Sequence, residues 1–203
     1  LASTDASVAA PASGTIATAD GGSMNVSQGQ LLTPTQAVAL TQFLAGGQTI
    51  VVGATGAATG GSVVLNQINT TGNLVIPAGV TAIQDFGAAS TLNVSNFTNS
   101  GNFYAVSSNQ SVSVANILSS NITNNANALI TTVLPSGGLL GFSNLVSNLG
   151  LNLTATNAIF NAGTISSAGA LSASAANITN LGVMQAASSI NLQALSLVNA
   201  GNI

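Results

Sequence analysis

Three aspartates, Asp5, Asp20 and Asp85, are the only residues in this 203-residue sequence that carry a formal charge, because Lys, Arg, His and Glu are all absent. Two carboxyl groups held about 5 to 9 Å apart would be the signature of glycoside hydrolysis. These three lie in segments of different character, with no spacing that pairs them, and Asp85 is the lone acid of its region. Ser and Thr abound, but a hydroxyl nucleophile needs an activating base, and no His or Lys is present to act as one. Zinc, haem and thiol chemistry go with the missing His and Cys. Calcium-binding nonapeptide repeats go with the missing recurrent Asp, and phosphate or nucleic-acid recognition with the missing Lys and Arg. The expectation is a protein that is not an enzyme, holds no metal or cofactor and has no nucleic-acid partner.

The remaining chemistry belongs to neutral hydrogen-bonding groups. Asn-x-Ser/Thr sequons stand at Asn25, Asn69, Asn93, Asn96, Asn121, Asn152 and Asn177, and any that faced outward on an exported chain would be a candidate N-glycan acceptor. In a chain so rich in these three residue types, chance accounts for most of them. An ice-binding face would want regular ranks of Thr, and apart from Thr154-Ala155-Thr156 no Thr-x-Thr recurs at coil spacing. A neutral polar face could still meet surface glycans through Asn, Ser and Thr.

The composition narrows the elements that could carry such groups. Hydrophobic residues make up 46% and charged ones 1%, against about 25% charged in an ordinary globular chain. A folded core is expected, yet Ser, Thr, Asn or Gly interrupts every apolar stretch well short of the 18 residues a membrane-spanning helix needs. Six Phe and one Tyr are too few for the two aromatic girdles of a membrane barrel. A net charge of −3 gives little repulsion, so association with copies of itself is expected. The first residue is Leu rather than Met, so the chain is expected to be processed or a piece of something longer, while the absent Cys, depleted charge and abundant Ser, Thr and Asn point to an exported chain.

Three segments follow. Residues 1–30 are small and Ala/Ser/Gly-rich, and read either as a flexible terminus or as intersubunit strands, given the alternation around Thr15-Ile16-Ala17-Thr18 and Met24-Asn25-Val26. Residues 31–47 read as a capping helix: Thr33 as N-cap, Pro34 at the first helical position, Gln36 completing a capping box, and Gly46-Gly47 as the stop. From residue 48 to 203 the runs TIVVG, SVVL, NLVI, NFYAV and ALITTVL are short, β-prone and separated by Gly, Asn or Ser, the mark of an all-β architecture.

Periodicity decides between a sandwich and a solenoid. Asn-x-Gly recurs as Asn161/Gly163, Asn180/Gly182 and Asn199/Gly201, 19 residues apart each time. Apolar columns keep the same register: Ile159, Ile178 and Leu197 before the Asn, and Ile165, Met184 and Ile203 after the Gly. At about 3.3 Å per residue such a repeat closes a coil roughly 60 Å round, with equivalent residues stacked about 4.8 Å apart. Asn tolerates a left-handed corner and can bond to its own kind up the stack, and Gly relieves the second tight position. Asn99-Ser100-Gly101 followed by Asn102, and Thr70-Thr71-Gly72 followed by Asn73, look like the same corner, though Gly101 and Gly163 lie 62 residues apart. Pro135 and Gly137-Gly138 place an insertion near 133–150.

The segments NAGTISS, NLGVMQA and NAGNI, over about residues 153 to 203, resemble the L-x-N-x-G-x-I-x-A style of filamentous-haemagglutinin-like repeats in bacterial adhesins and exported fibres. That resemblance implies a right-handed parallel β-helix at the cell surface or outside a bacterial cell, engaged in fibre formation or adhesion. The combined expectation is a structural subunit of a self-assembling extracellular filament, associating through coil ends or the N-terminal segment. The alternative is an adhesin segment that binds carbohydrate or another cell through a polar face.

Overall fold

The computed structural model describes residues 73–76, 78–79, 81–87, 90–139 and 144–203, and upstream of these the backbone of six short strands. The expected helix with Thr33, Pro34 and Gln36 lies outside the described residues, as do Asp5, Asp20 and Asn69. The fold is all-β, a parallel solenoid of about five turns.

Each turn lays one strand, or in one coil two short ones, on a long wall and one strand on a shorter wall. The long wall holds β7 (Asn73–Ile76), β9 (Thr91–Asn93), β10 (Asn96–Asn99), β12 (Val114–Asn124), β14 (Gly150–Asn161), β16 (Leu171–Asn180) and β18 (Ile190–Asn199). The second wall holds β6 (Ser62–Leu65), β8 (Thr81–Asp85), β11 (Asn102–Val106), β13 (Leu129–Thr131), β15 (Thr164–Ser167) and β17 (Val183–Ala186). All these pairings are parallel. The long wall begins differently: β5 (Thr49–Val52) pairs in parallel with β7 but antiparallel with β1 (Val8–Ala9), which pairs antiparallel with β4 (Leu31–Leu32). The strands β2 (Gly14–Ala17) and β3 (Ser23–Val26) form their own antiparallel pair. The alternation seen at Thr15–Ala17 and Met24–Val26 is therefore strand, paired within this chain.

Burial explains why these sequences stack. Side chains alternate in and out along each strand, so Leu74, Phe97, Ile122, Ile159, Ile178 and Leu197 fall in one column of the long wall. Ala82, Phe103, Ile130, Ile165 and Met184 fall in a column of the other. All are buried except Leu197 in the last coil. Phe97 and Phe103 meet across the interior with ring centroids 5.1 Å apart at 66°, an edge-to-face contact. With no Lys, Arg or His side chain to form an ion pair, apolar burial and hydrogen bonding must together offset the conformational entropy of ordering the chain.

Two irregularities explain why the repeat is hard to follow upstream. Leu151 pairs with Leu171 and Leu153 with Ala173, one residue out of step with Ile159 and Ile178; a bulge between Thr154 and Ala158 absorbs the extra residue. The second irregularity is the excursion between β13 and β14. It turns at Pro135 and Gly138, whose φ is 71°, and returns to dock on the preceding coil. There the Val146 N–H donates to Ser107 O at 2.9 Å, while Thr132 Oγ1 donates to Leu149 O at 2.7 Å.

Candidate functional site

Along the long wall β10, β12, β14, β16 and β18 end in the same residue: Asn99, Asn124, Asn161, Asn180 and Asn199 stack in register. Each amide donates upward, from Asn99 Nδ2 to Asn124 Oδ1 at 2.9 Å and onward at 2.8, 2.7 and 2.8 Å. The second amide hydrogen is also used. Asn99 donates to Leu129 O at 2.9 Å, Asn124 to Thr164 O at 3.1 Å, Asn161 to Val183 O and Asn180 to Asn202 O, both at 3.0 Å. The four lower Asn side chains are fully buried. Unpaired, each would carry a desolvation penalty; laddered, each has a partner for both donor hydrogens.

The corner works differently from the sequence argument. Left-handed backbone occurs at Asn127, φ 64°, and Asn144, φ 57°, and not at the ladder residues. Asn127 sits in the corner of the Asn124 coil, which lacks Gly and is two residues longer. That coil is the one hidden in the 62-residue gap, since Asn124 lies 25 residues after Asn99 and 37 before Asn161. Gly163, Gly182 and Gly201 are needed for close approach rather than for a positive φ. A Cβ on Gly182 would collide with Gly163 O, and one on Gly201 with Gly182 O. A second correction concerns Asn73. It opens a long-wall strand, whereas Asn102 opens a strand of the second wall, so the Gly72 and Gly101 corners are not equivalent. The residue stacked beneath Asn99 is Ile76, and that coil turns through Gly79 at φ 79°.

A second ladder runs up the outer face of the same wall. Asn96 Nδ2 donates to Asn73 Oδ1 at 2.7 Å, Asn121 to Asn96 at 2.8 Å and Asn157 to Asn121 at 2.8 Å. The sequons at Asn96, Asn121 and Asn177 recur because they belong to one tetrad, Asn-Phe-Thr-Asn or Asn-Ile-Thr-Asn, whose last residue is the inner rung. That tetrad was readable as a spacing of three between an outer and an inner Asn. The amides of Asn96, Asn121 and Asn152 are engaged with neighbouring Asn side chains, so a glycan on any of them would break a ladder bond. Asn177 and Asn93 are exposed, the former reaching Asn157 O at 3.5 Å. A further sequon, Asn109-Gln110-Ser111, lies on an exposed corner. The side chain of Asn25 lies outside the described residues.

Asp85, the one described carboxylate, serves the fold. Its Oδ1 accepts the Gly87 N–H at 2.7 Å and the Ser108 N–H at 3.0 Å, while Ser108 Oγ donates to Oδ2 at 2.6 Å. It therefore staples one coil to the next. Among the described residues no cluster of metal-ligating side chains occurs, and no helix is long and apolar enough to cross a membrane. The largest exposed apolar side chains gather at the last coil: Leu195, 94% exposed, with Leu181, Leu197, Val198 and Ile203. Ile203 follows Asn202, which bridges to Val183. No family model, curated protein or solved structure matches the chain.

Proposed function

We propose that the protein is a structural subunit of an extracellular filament or bacterial surface fibre, exported and associating with copies of itself. The observation that carries this reading is the ladder of five stacked asparagines, four of them buried. Successive coils recognise one another through neutral, repeating groups that need no charge, cofactor or disulfide. A near-neutral surface, with a net charge of only −3, favours self-association over dispersion.

The test is negative-stain electron microscopy across a concentration series, paired with sedimentation. Uniform filaments are expected, and persistent monomers at high concentration would overturn the reading. The adhesin reading is favoured by a separate observation. The outer long wall presents Thr98, Thr123 and Thr179 in one column with half-buried Phe160 among them, a combination of hydroxyl and aromatic groups suited to sugar rings. Glycan-array binding by the monomer is its test.

A further inference from the structure

Beyond its bulge the long wall turns to the outside a stripe four residues wide, bounded by the bulge on one side and the Asn corner on the other. Two columns of outward side chains run up it. In the first, the amides of Asn73, Asn96 and Asn121 are bonded to one another and to Asn157, so much of their hydrogen-bonding capacity is spent. In the second, Val75, Thr98, Thr123, Phe160 and Thr179 stand in register, all partly exposed. Among the described residues the hydroxyls of Thr98, Thr123 and Thr179 have no hydrogen-bond partner, and each can both donate and accept. Beside Phe160 the Asn column is interrupted by Ala158, between Asn121 and Asn177, a side chain too short to cover the flank of the ring. The one described carboxylate, Asp85, stands on the other wall.

Resting on the adhesin reading above, we propose that this stripe binds a single extended, uncharged β-linked glycan laid along the solenoid axis. One sugar ring stacks on Phe160, and the Thr123 and Thr179 hydroxyls on either side exchange hydrogen bonds with the hydroxyls of that sugar and its neighbours. Successive coils present equivalent residues about 4.8 Å apart, close to the rise per sugar of an extended β-1,4 chain, so ligand and column advance together. Width selects the occupant. Four residues span about 13 Å and each coil adds about 4.8 Å of height, roughly 60 Å² per coil. A protein partner covering about 800 Å² would need about a dozen coils of this stripe, whereas a linear chain one sugar wide fits within it. Charge selects the class of glycan. A sulfated or uronic acid chain would give up hydration with no Lys, Arg or His to pair with it.

The experiment is calorimetric titration of the whole protein, at concentrations where it sediments as a monomer, with cellohexaose, N-acetylated chitohexaose and a heparin hexasaccharide. At least one neutral hexasaccharide should bind, more tightly than its disaccharide and with an affinity that salt does not change. Phe160→Ala should weaken that binding about tenfold, and Phe160→Trp should retain it. Thr123→Val, which keeps the shape of the side chain and removes its hydroxyl, should weaken it about fivefold. Gln185→Ala, at an exposed position of the other wall, should leave it unchanged. Failure of both neutral hexasaccharides to bind, or binding of the heparin fragment alone, overturns the proposal. Undiminished binding by Phe160→Ala and Thr123→Val also overturns it, but leaves the adhesin reading standing with its site elsewhere. Loss of sedimenting assemblies in Phe160→Ala overturns it as well, because a second copy then occupies the stripe. Absence of binding to any glycan sinks both readings together.

Discussion

The coils on either side of the excursion solve the same stacking problem by different means. Upstream, successive rungs are 23 and 25 residues apart, corners are wide, and the interior is filled by Phe86, Phe97 and Phe103. Downstream the spacing tightens to 19 residues, glycine lets backbones approach, and Ile, Leu, Ala and Met fill a narrower space. What the two regions share is the asparagine column and the strand register. Coil length and core volume can vary together so long as the wall on which the coils hydrogen-bond keeps its phase.

The sharpest way to break this comparison is at the tight corners. Gly182→Val should cost more than about 4 kcal/mol in chemical denaturation, because its Cβ meets Gly163 O and the coils must part. Gly137→Ala, in open space on the excursion, should stay within about 0.5 kcal/mol. Next comes core volume. Phe97→Ala should cost about 4 kcal/mol and Ile178→Ala about 3 kcal/mol, and the reverse order would show that the upstream interior collapses around a lost ring.

The shared ladder should respond less but more selectively. Asn161→Leu strands the Asn124 amide and the Val183 carbonyl and should cost about 3 kcal/mol, while Asn157→Ala on the solvent side should cost about 0.5 kcal/mol. Equal losses would mean that burial does not set the worth of a rung. Asp85→Ala, which removes an upstream staple that the downstream coils do without, should cost about 1 kcal/mol and raise amide exchange at Gly87 and Ser108 first.

The downstream half was legible because fixed coil length turns structural columns into sequence columns. Ile159, Ile178 and Leu197 are aligned on the page before they are aligned in space. Asn124 was not legible, because its corner uses Asn127 in place of Gly, and no short motif survives a change in corner length. The pairing of Leu151 with Leu171 and of Leu153 with Ala173 was not legible, because a bulge is invisible to a count of residues. The role of glycine was legible only in part. Its position followed from the repeat, but the reason for it, a carbonyl in the coil below, exists only once the coils are stacked.

One consequence of the paired ladders concerns polarity. The inner amides all donate toward the C-terminal end, from Asn99 through Asn180, whereas the outer amides from Asn157 to Asn96 donate toward the N-terminal end. Over the coils they share, the two chains of aligned side-chain dipoles oppose each other along the axis. A molecule almost without ions thus limits the axial field its own side chains create, and the opposition lapses only at the two ends, where the outer Asn96–Asn73 bond and the inner bonds beyond Asn161 stand alone.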